Sequence, residues 1–314
     1  MKAKRAQNKI AESRFALTIS CIYTIIVCLA GGLFAAKLWI PIILLVFSTM
    51  LMAWLNNNNA LIRIYSRMVS CAFLLLTASA SFLIQSWQGG LVSVMVILSL
   101  IFVFQAYQNK KATGLVFYSF VAISIASIFF VQILYFVPIL WILLFTNIMA
   151  GSWRTFMASI LGLIAPYWFA SGYYIYEDNI DGFIGHFVEL VKFEQPFNYT
   201  SVTDTQTITL TFITILTLTG IIHFLRNSYR DKIRVRMLFE YFITMNIFVI
   251  ALIFLQPQLY NDLLRMLIIY TAPLIGHFIA LTNTKVTNIA FHLIVITTIA
   301  ITIFNIIWTP STLF

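Results

Sequence analysis

Polar and apolar positions follow each other in long blocks along this chain, not at a short period. Mostly apolar runs cover 15–36, 38–55, 68–87, 91–107, 114–132, 134–150, 156–176, 207–225, 237–255, 263–281 and 288–308. Each approaches the ~20 residues that a helix needs to cross a hydrocarbon layer. The pattern predicts an all-α, polytopic transmembrane bundle of about 11 spans in one domain, 1–314. Two pairs of runs, 15–36 with 38–55 and 114–132 with 134–150, are nearly continuous, which predicts helical hairpins with tight turns. Lys37 and Pro41 mark the first turn, and Pro138 lies near the second.

Most connections are short, and the exception is 177–206. Within it Phe183, Ile184, Phe187, Val188, Leu190 and Val191 share one helical face, while Gly182, Gly185, His186, Glu189 and Lys192 form the opposite stripe. This predicts an amphipathic helix over 180–193 lying in the membrane interface, with Asp178 or Asp181 as its cap. Trp168, Tyr173, Tyr174 and Tyr176 precede it as an aromatic belt.

Composition sharpens this picture. The chain is 61% hydrophobic and 9% charged, and so little polar surface excludes a water-soluble fold. The net charge of +9 is not a nucleic-acid signature, because the bases sit in short clusters between apolar runs. With the N-terminus inside, all 19 basic residues except Lys37, Lys192 and Arg265 fall on inner segments. Of the 10 acids, all but Glu12, Asp231 and Glu240 fall outside. The positive-inside rule therefore predicts an N-in, C-out topology with 177–206 outside. The basic segment before 15–36 reads as the flank of an uncleaved first span. Cys21, Cys28 and Cys71 lie within apolar runs as small fillers, not as a disulfide framework.

No nucleotide-binding, hydrolase or zinc-protease motif occurs in the sequence, and no metal or cofactor is expected. The candidate chemistry lies at the outer face. Arg265 sits just inside the outer end of the run 263–281, where a cation is costly and tends to be functional. Its planar fork suits phosphate or carboxylate, with Asp262 three residues away as a local partner. Glu177, Asp178 and His186 are the candidates for a catalytic base on the same side. A second group, His223, Glu240, His277 and His292, lies near the inner ends of four runs and could form a proton or metal site if the helices bring it together. Thr207, Thr211 and Thr214 share one face of the run 207–225, either for close packing or as a polar pathway.

Ser152-Trp153-Arg154 followed by Leu161-Gly162-Leu163-Ile164-Ala165-Pro166-Tyr167, with the basic segment Arg226–Arg236 later, resembles a pattern in uncharacterised multi-pass inner-membrane proteins of Bacteroidota. That resemblance implies a bacterial inner-membrane location. The layout also resembles O-antigen polymerases and ligases, with Arg265 and the loop 177–206 as the matching parts. It departs from them in its shorter loop and its single outward arginine, and from the wider family of lipid-carrier glycosyltransferases in lacking an acid in the first outer loop. The resemblance implies a role in envelope assembly on a lipid-linked anionic glycan, by a glycosyltransferase- or polymerase-like transferase if the chain is an enzyme. The partners implied are the lipid bilayer, a polyprenyl-phosphate-linked saccharide and other membrane subunits. A transporter or lipid flippase and a non-catalytic scaffold subunit are the competing expectations.

Overall fold

A computed structural model describes residues 5–193, 195–200 and 202–308. Lys2, Lys4 and Glu194 of the charge pattern lie outside the described residues. Among these residues there are helices and no strands. The α-helices are α1 Ala6–Ala11, α2 Ala16–Ala30, α3 Trp39–Asn59, α4 Met68–Ser79, α5 Trp87–Gln105, α6 Thr113–Phe129 and α7 Val137–Thr146. They continue with α8 Trp153–Tyr176, α9 Ile180–Val191, α10 Asp204–Asn227, α11 Ile233–Leu255, α12 Tyr260–Leu281 and α13 Lys285–Trp308. Short 3-10 turns at Ser81–Gln85 and Val131–Phe136 extend α4 and precede α7.

Seven helical segments, containing α3, α5, α8, α10, α11, α12 and α13, are long and apolar enough to cross a membrane. These helices fit an integral membrane protein. The other four apolar runs form shorter pieces, 10–17 residues long. The 12 residues of α4 reach about 18 Å at 1.5 Å per residue, short of the ~30 Å hydrocarbon core. Hydropathy sees one run over 68–87, but the backbone leaves the α-helix at Ala80 and tightens into the 3-10 turn.

The hairpin signals act where they were read. Lys37 takes a left-handed φ of 55° and Pro41 lies in the first turn of α3, where its missing N–H costs nothing. Pro138 likewise starts α7. The amphipathic segment is the separate helix α9, but its cap differs from the expectation. Asp178 takes a left-handed φ of 50° as the chain leaves α8, so Asn179 falls at the cap position and its side chain accepts from Gly182 N–H at 3.0 Å. Asp181 lies in the first turn, where a carboxylate suits the helix dipole.

The axis of the molecule is α12. Every residue from Leu263 to Ala280 is buried, with α4, α10, α11, α5 and α1 packed around it. Glycines bring the backbones close. A Cβ at Gly276 would lie 2.9 Å from the Val69 nitrogen of α4, and one at Gly220 of α10 would lie 2.8 Å from the Leu274 Cβ. Such small residues let apolar helices approach. At mid-depth Thr217, Thr271 and Asn246 join α10, α12 and α11, with Thr217 Oγ1 2.7 Å from Thr271 Oγ1, which donates to Asn246 Oδ1 at 3.1 Å. The last carbonyls of a helix have no partner within it, and α1 answers this for α12. Gln7 Nε2 donates to Ile279 O at 2.7 Å and Asn8 Nδ2 to Thr282 O at 2.9 Å.

Contacts sort the loops onto two ends. At one end Arg234 donates to Asn59 Oδ1 and to Phe104 O, Arg63 faces Asp231, Ser152 donates to Lys110 O, and α1 meets the end of α12. This is the basic end. At the other, Arg265 donates to Leu83 O, Tyr260 to Gln206 O, Tyr199 to Phe254 O, and Tyr135 to Leu190 O.

Candidate functional site

The site at the non-basic end is built where α12 meets the start of α5. Ser86 caps α5 by accepting from Gly89 N–H at 3.1 Å, which fixes the helix start beside the turn 81–85. Gly89 and Gly90 follow, and α12 runs past them. The Arg265 side chain, only 8% exposed, lies flat against Gly89: a Cβ there would sit 2.3 Å from Nε and 2.4 Å from Cζ. One guanidinium nitrogen donates to Leu83 O. Nε has no hydrogen-bond partner, and Asp262 Oδ1 stands 3.7 Å from it. Asp262 is the more open partner, 35% exposed, and so the side from which the cation can be reached.

A cavity of about 30 Å³ adjoins the guanidinium, with Ser48, Thr77, Ser86, Gly90 and Ser93 in its wall. That volume suits water. Ser93 Oγ is committed to Gly89 O at 2.9 Å, whereas Ser48 Oγ is buried without a hydrogen-bond partner. A helix N-terminus, a guanidinium and two residues without side chains thus share one place. The Gly89 and Gly90 N–H groups are answered by Ser86 Oγ and Ser86 O, so the positive potential comes from the guanidinium and the helix dipole, and one carboxylate offsets it. Arrangements of this kind attract anions.

The remaining sequence candidates lie elsewhere on that end. Glu177 closes α8 and is exposed, as is Asp178. His186 is half-buried on α9, its Nε2 3.3 Å from Tyr167 Oη, which is 2.6 Å from Ser127 Oγ. Among the described residues no hydrogen bond or ion pair links Glu177, Asp178 or His186 to Arg265 or Asp262. The face with Thr207, Thr211 and Thr214 lines a cavity of about 250 Å³ beside Tyr199 and Tyr260.

At the basic end the four-residue group divides. His223 and His277 come together, ring centroids 5.5 Å apart, enclosed by Phe224, Phe239 and Phe278. Glu240 is exposed and accepts from Asn147 Nδ2 at 3.3 Å, and His292 is exposed on α13. Asp231 takes their place. Its buried carboxylate stands 3.1 Å from His277 Nε2 and 3.7 Å from Arg63. Among the described residues no cluster of three or more His, Cys, Asp or Glu could hold a metal ion.

Two parts of these sites escaped the sequence reading. Gly89 and Gly90 follow Ser86 at the head of an apolar run, which is a helix-start signal, but a residue that acts by lacking a side chain leaves no chemical mark. Asp231 is the lone acid among the five bases of 226–236, and that isolation was its signal. No protein-family model, curated protein or solved structure matches this chain.

Proposed function

We propose that the protein crosses a bacterial inner membrane eleven times, N-in and C-out, and acts at the outer face in envelope assembly on a lipid-linked anionic glycan. Two lines of support bear on the crossings. The loops at the basic end are those that the positive-inside pattern puts in the cytoplasm. The short helices α2, α4, α6 and α7 each connect loops at opposite ends of the bundle, and the 3-10 turns at 81–85 and 131–136 lengthen two of those passes.

The observation that carries the functional reading is the convergence of Arg265 with Ser86, Gly89 and Gly90 at the start of α5. On this reading the substrate phosphate approaches past Asp262 and replaces its carboxylate as the counter-ion of the guanidinium. Broken helices whose positive ends face anionic groups are a recurrent device of membrane binding sites. Glu177, Asp178 or His186 supplies a base if the reaction is a transfer, with the lipid bilayer and other membrane subunits as partners. Ion-coupled transport is the weaker reading. The buried mid-depth groups Thr217, Thr271 and Asn246 are neutral and bonded to one another, and coupling usually uses membrane-embedded charges.

The test compares lipid-linked precursors and surface glycans in the wild type, a deletion strain, and the deletion complemented with Arg265→Gln. Glutamine removes the charge but ends two bonds short of the nitrogen that donates to Leu83 O, so the abundance of the variant in the membrane is measured in parallel. Precursors are expected to accumulate in the deletion and to remain in the Arg265→Gln strain. Clearance of precursors by a normally abundant Arg265→Gln protein overturns the role of Arg265. Identical profiles in all three strains overturn the envelope reading.

A further inference from the structure

The helices α2 and α3 both pack on α4 but scarcely on each other. Their separation leaves a groove of about 490 Å³, floored by Leu74 of α4 and walled by Leu17, Cys21, Thr24 and Cys28 of α2 and Leu45, Thr49 and Ala53 of α3. On α3 the lining runs from Ile42 to Asn57, a length of about 22 Å at 1.5 Å per residue. That exceeds the ~15 Å depth of one leaflet, half of a ~30 Å core.

The groove is not uniform along its length. Its body is apolar. At the basic end it finishes in Trp54, Asn57 and Arg67. Arg67 is exposed, stands at the N-cap of α4 and forms no ion pair among the described residues. A cation beside the positive end of a helix has no local compensation within the chain, which leaves it open to an anion from outside. An aromatic side chain, an amide and a cation at the mouth of an apolar slot match the polar boundary of a phospholipid. Basic pockets between membrane helices on the cytoplasmic side favour anionic headgroups.

We propose that this groove seats an acyl chain of an anionic phospholipid, whose phosphate is held by Arg67. The Arg67 end of the groove lies at the opposite end from Arg265, and the groove shares only Leu45 with the wall of the Arg265 cavity and none of its polar residues, so it stands or falls independently of the functional reading above. The lipid replaces the missing α2–α3 contact, filling the gap with its chain and neutralising Arg67 with its phosphate.

The experiment uses the full chain in nanodiscs of phosphatidylcholine containing either phosphatidylglycerol or phosphatidylcholine with brominated chains. Trp54 is the reporter, and the Trp54→Phe protein supplies the background from the other tryptophans. Quenching of Trp54 by brominated phosphatidylglycerol is expected at a lower mole fraction than by brominated phosphatidylcholine. Arg67→Gln is expected to cut that preference about fivefold, since one juxtamembrane base is worth about 1 kcal/mol. Arg226→Gln, an exposed base elsewhere on the same end, is expected to leave the preference intact. Ala53→Phe, which narrows the groove, is expected to weaken quenching by both lipids. Equal quenching by the two lipids in the wild-type protein overturns the proposal whatever the variants do. So does an unchanged preference in Arg67→Gln.

Discussion

A guanidinium enclosed by apolar helices needs its charge and its N–H groups answered nearby. Arg265 finds Asp262 and Leu83 O, and it finds room only because residue 89 is glycine. The Gly89→Ala change puts a methyl group 2.3 Å from Nε. The guanidinium must then leave Leu83 O, at an expected cost of about 1–3 kcal/mol for the stranded buried groups. Thermal unfolding in detergent measures this, with Gly90→Ala as the comparison, since a Cβ there meets only the Leu44 side chain at 3.2 Å. Equal melting temperatures for the two variants would show that the guanidinium relocates freely. Asp231→Ala is also expected to destabilise, by about 1–3 kcal/mol, because it strips the carboxylate partner from buried His277. The same melts check it, and an unchanged transition would mean that Arg63 and His277 bind their carboxylate without net gain. Arg265 was legible in the sequence because a charge stands out within an apolar run. Gly89 and Asp231 left only local marks, a helix start and a lone acid among bases, because their roles depend on which helices meet, and nothing local in the sequence states that.

Element by element, legibility followed the length of the apolar run and failed at its interruptions. The long helices α3, α5, α8 and α10 to α13 coincide with their runs, because a continuous apolar stretch has no competing way to satisfy its backbone in lipid. The segment 68–87 reads as a plain span, yet it breaks at Ala80 into a 3-10 turn, whereas the turn expected between 114–132 and 134–150 is present as a 3-10 stretch over Val131–Phe136. Hydropathy is the same on both sides of the break at Ala80 and cannot mark it. Crossings between helices were equally silent. At Gly276 an added Cβ would lie 2.9 Å from the Val69 backbone nitrogen, and at Gly162 one would lie 2.6 Å from Phe117 O. Backbone cannot rotate aside as a side chain can. Gly276→Ala is therefore expected to cost about 1–3 kcal/mol as α4 and α12 are forced apart. Gly172 of α8 has nothing within 4 Å, so Gly172→Ala is expected to gain up to about 1 kcal/mol from helix propensity alone. Paired melts of the two variants check the contrast. A Gly276→Ala protein as stable as Gly172→Ala would mean that the α4–α12 crossing is loose.

For the whole molecule, the charge pattern and the contacts between loops both bear on the proposed topology. If only the seven long segments crossed, 56–67 would lie on the opposite side from the N-terminal segment and from 226–236. Yet Arg63 faces Asp231, Arg234 bonds to Asn59, and Gln7 bonds to the end of α12. Segments in direct contact cannot be on opposite sides of a bilayer, so α2 and α4 have to be counted as passes under the proposed topology. Single cysteines test this in a chain whose Cys21, Cys28 and Cys71 are replaced by alanine. Asn58, Asp181, Tyr229 and Thr284 are all exposed, so each cysteine can react wherever the reagent reaches it. A membrane-impermeant maleimide applied to intact cells is expected to label Asp181→Cys alone. Asn58→Cys, Tyr229→Cys and Thr284→Cys are expected to label only after permeabilisation. The Asn58 position decides between seven and eleven crossings, because it is the one that changes sides. Labelling of Asn58→Cys in intact cells, with Tyr229→Cys protected, would overturn the eleven-pass arrangement and separate the loops that the fold holds together. Reversal of all four positions would keep the passes and invert the protein, moving Arg265 to the cytoplasmic face and ending the outer-face reading of its site.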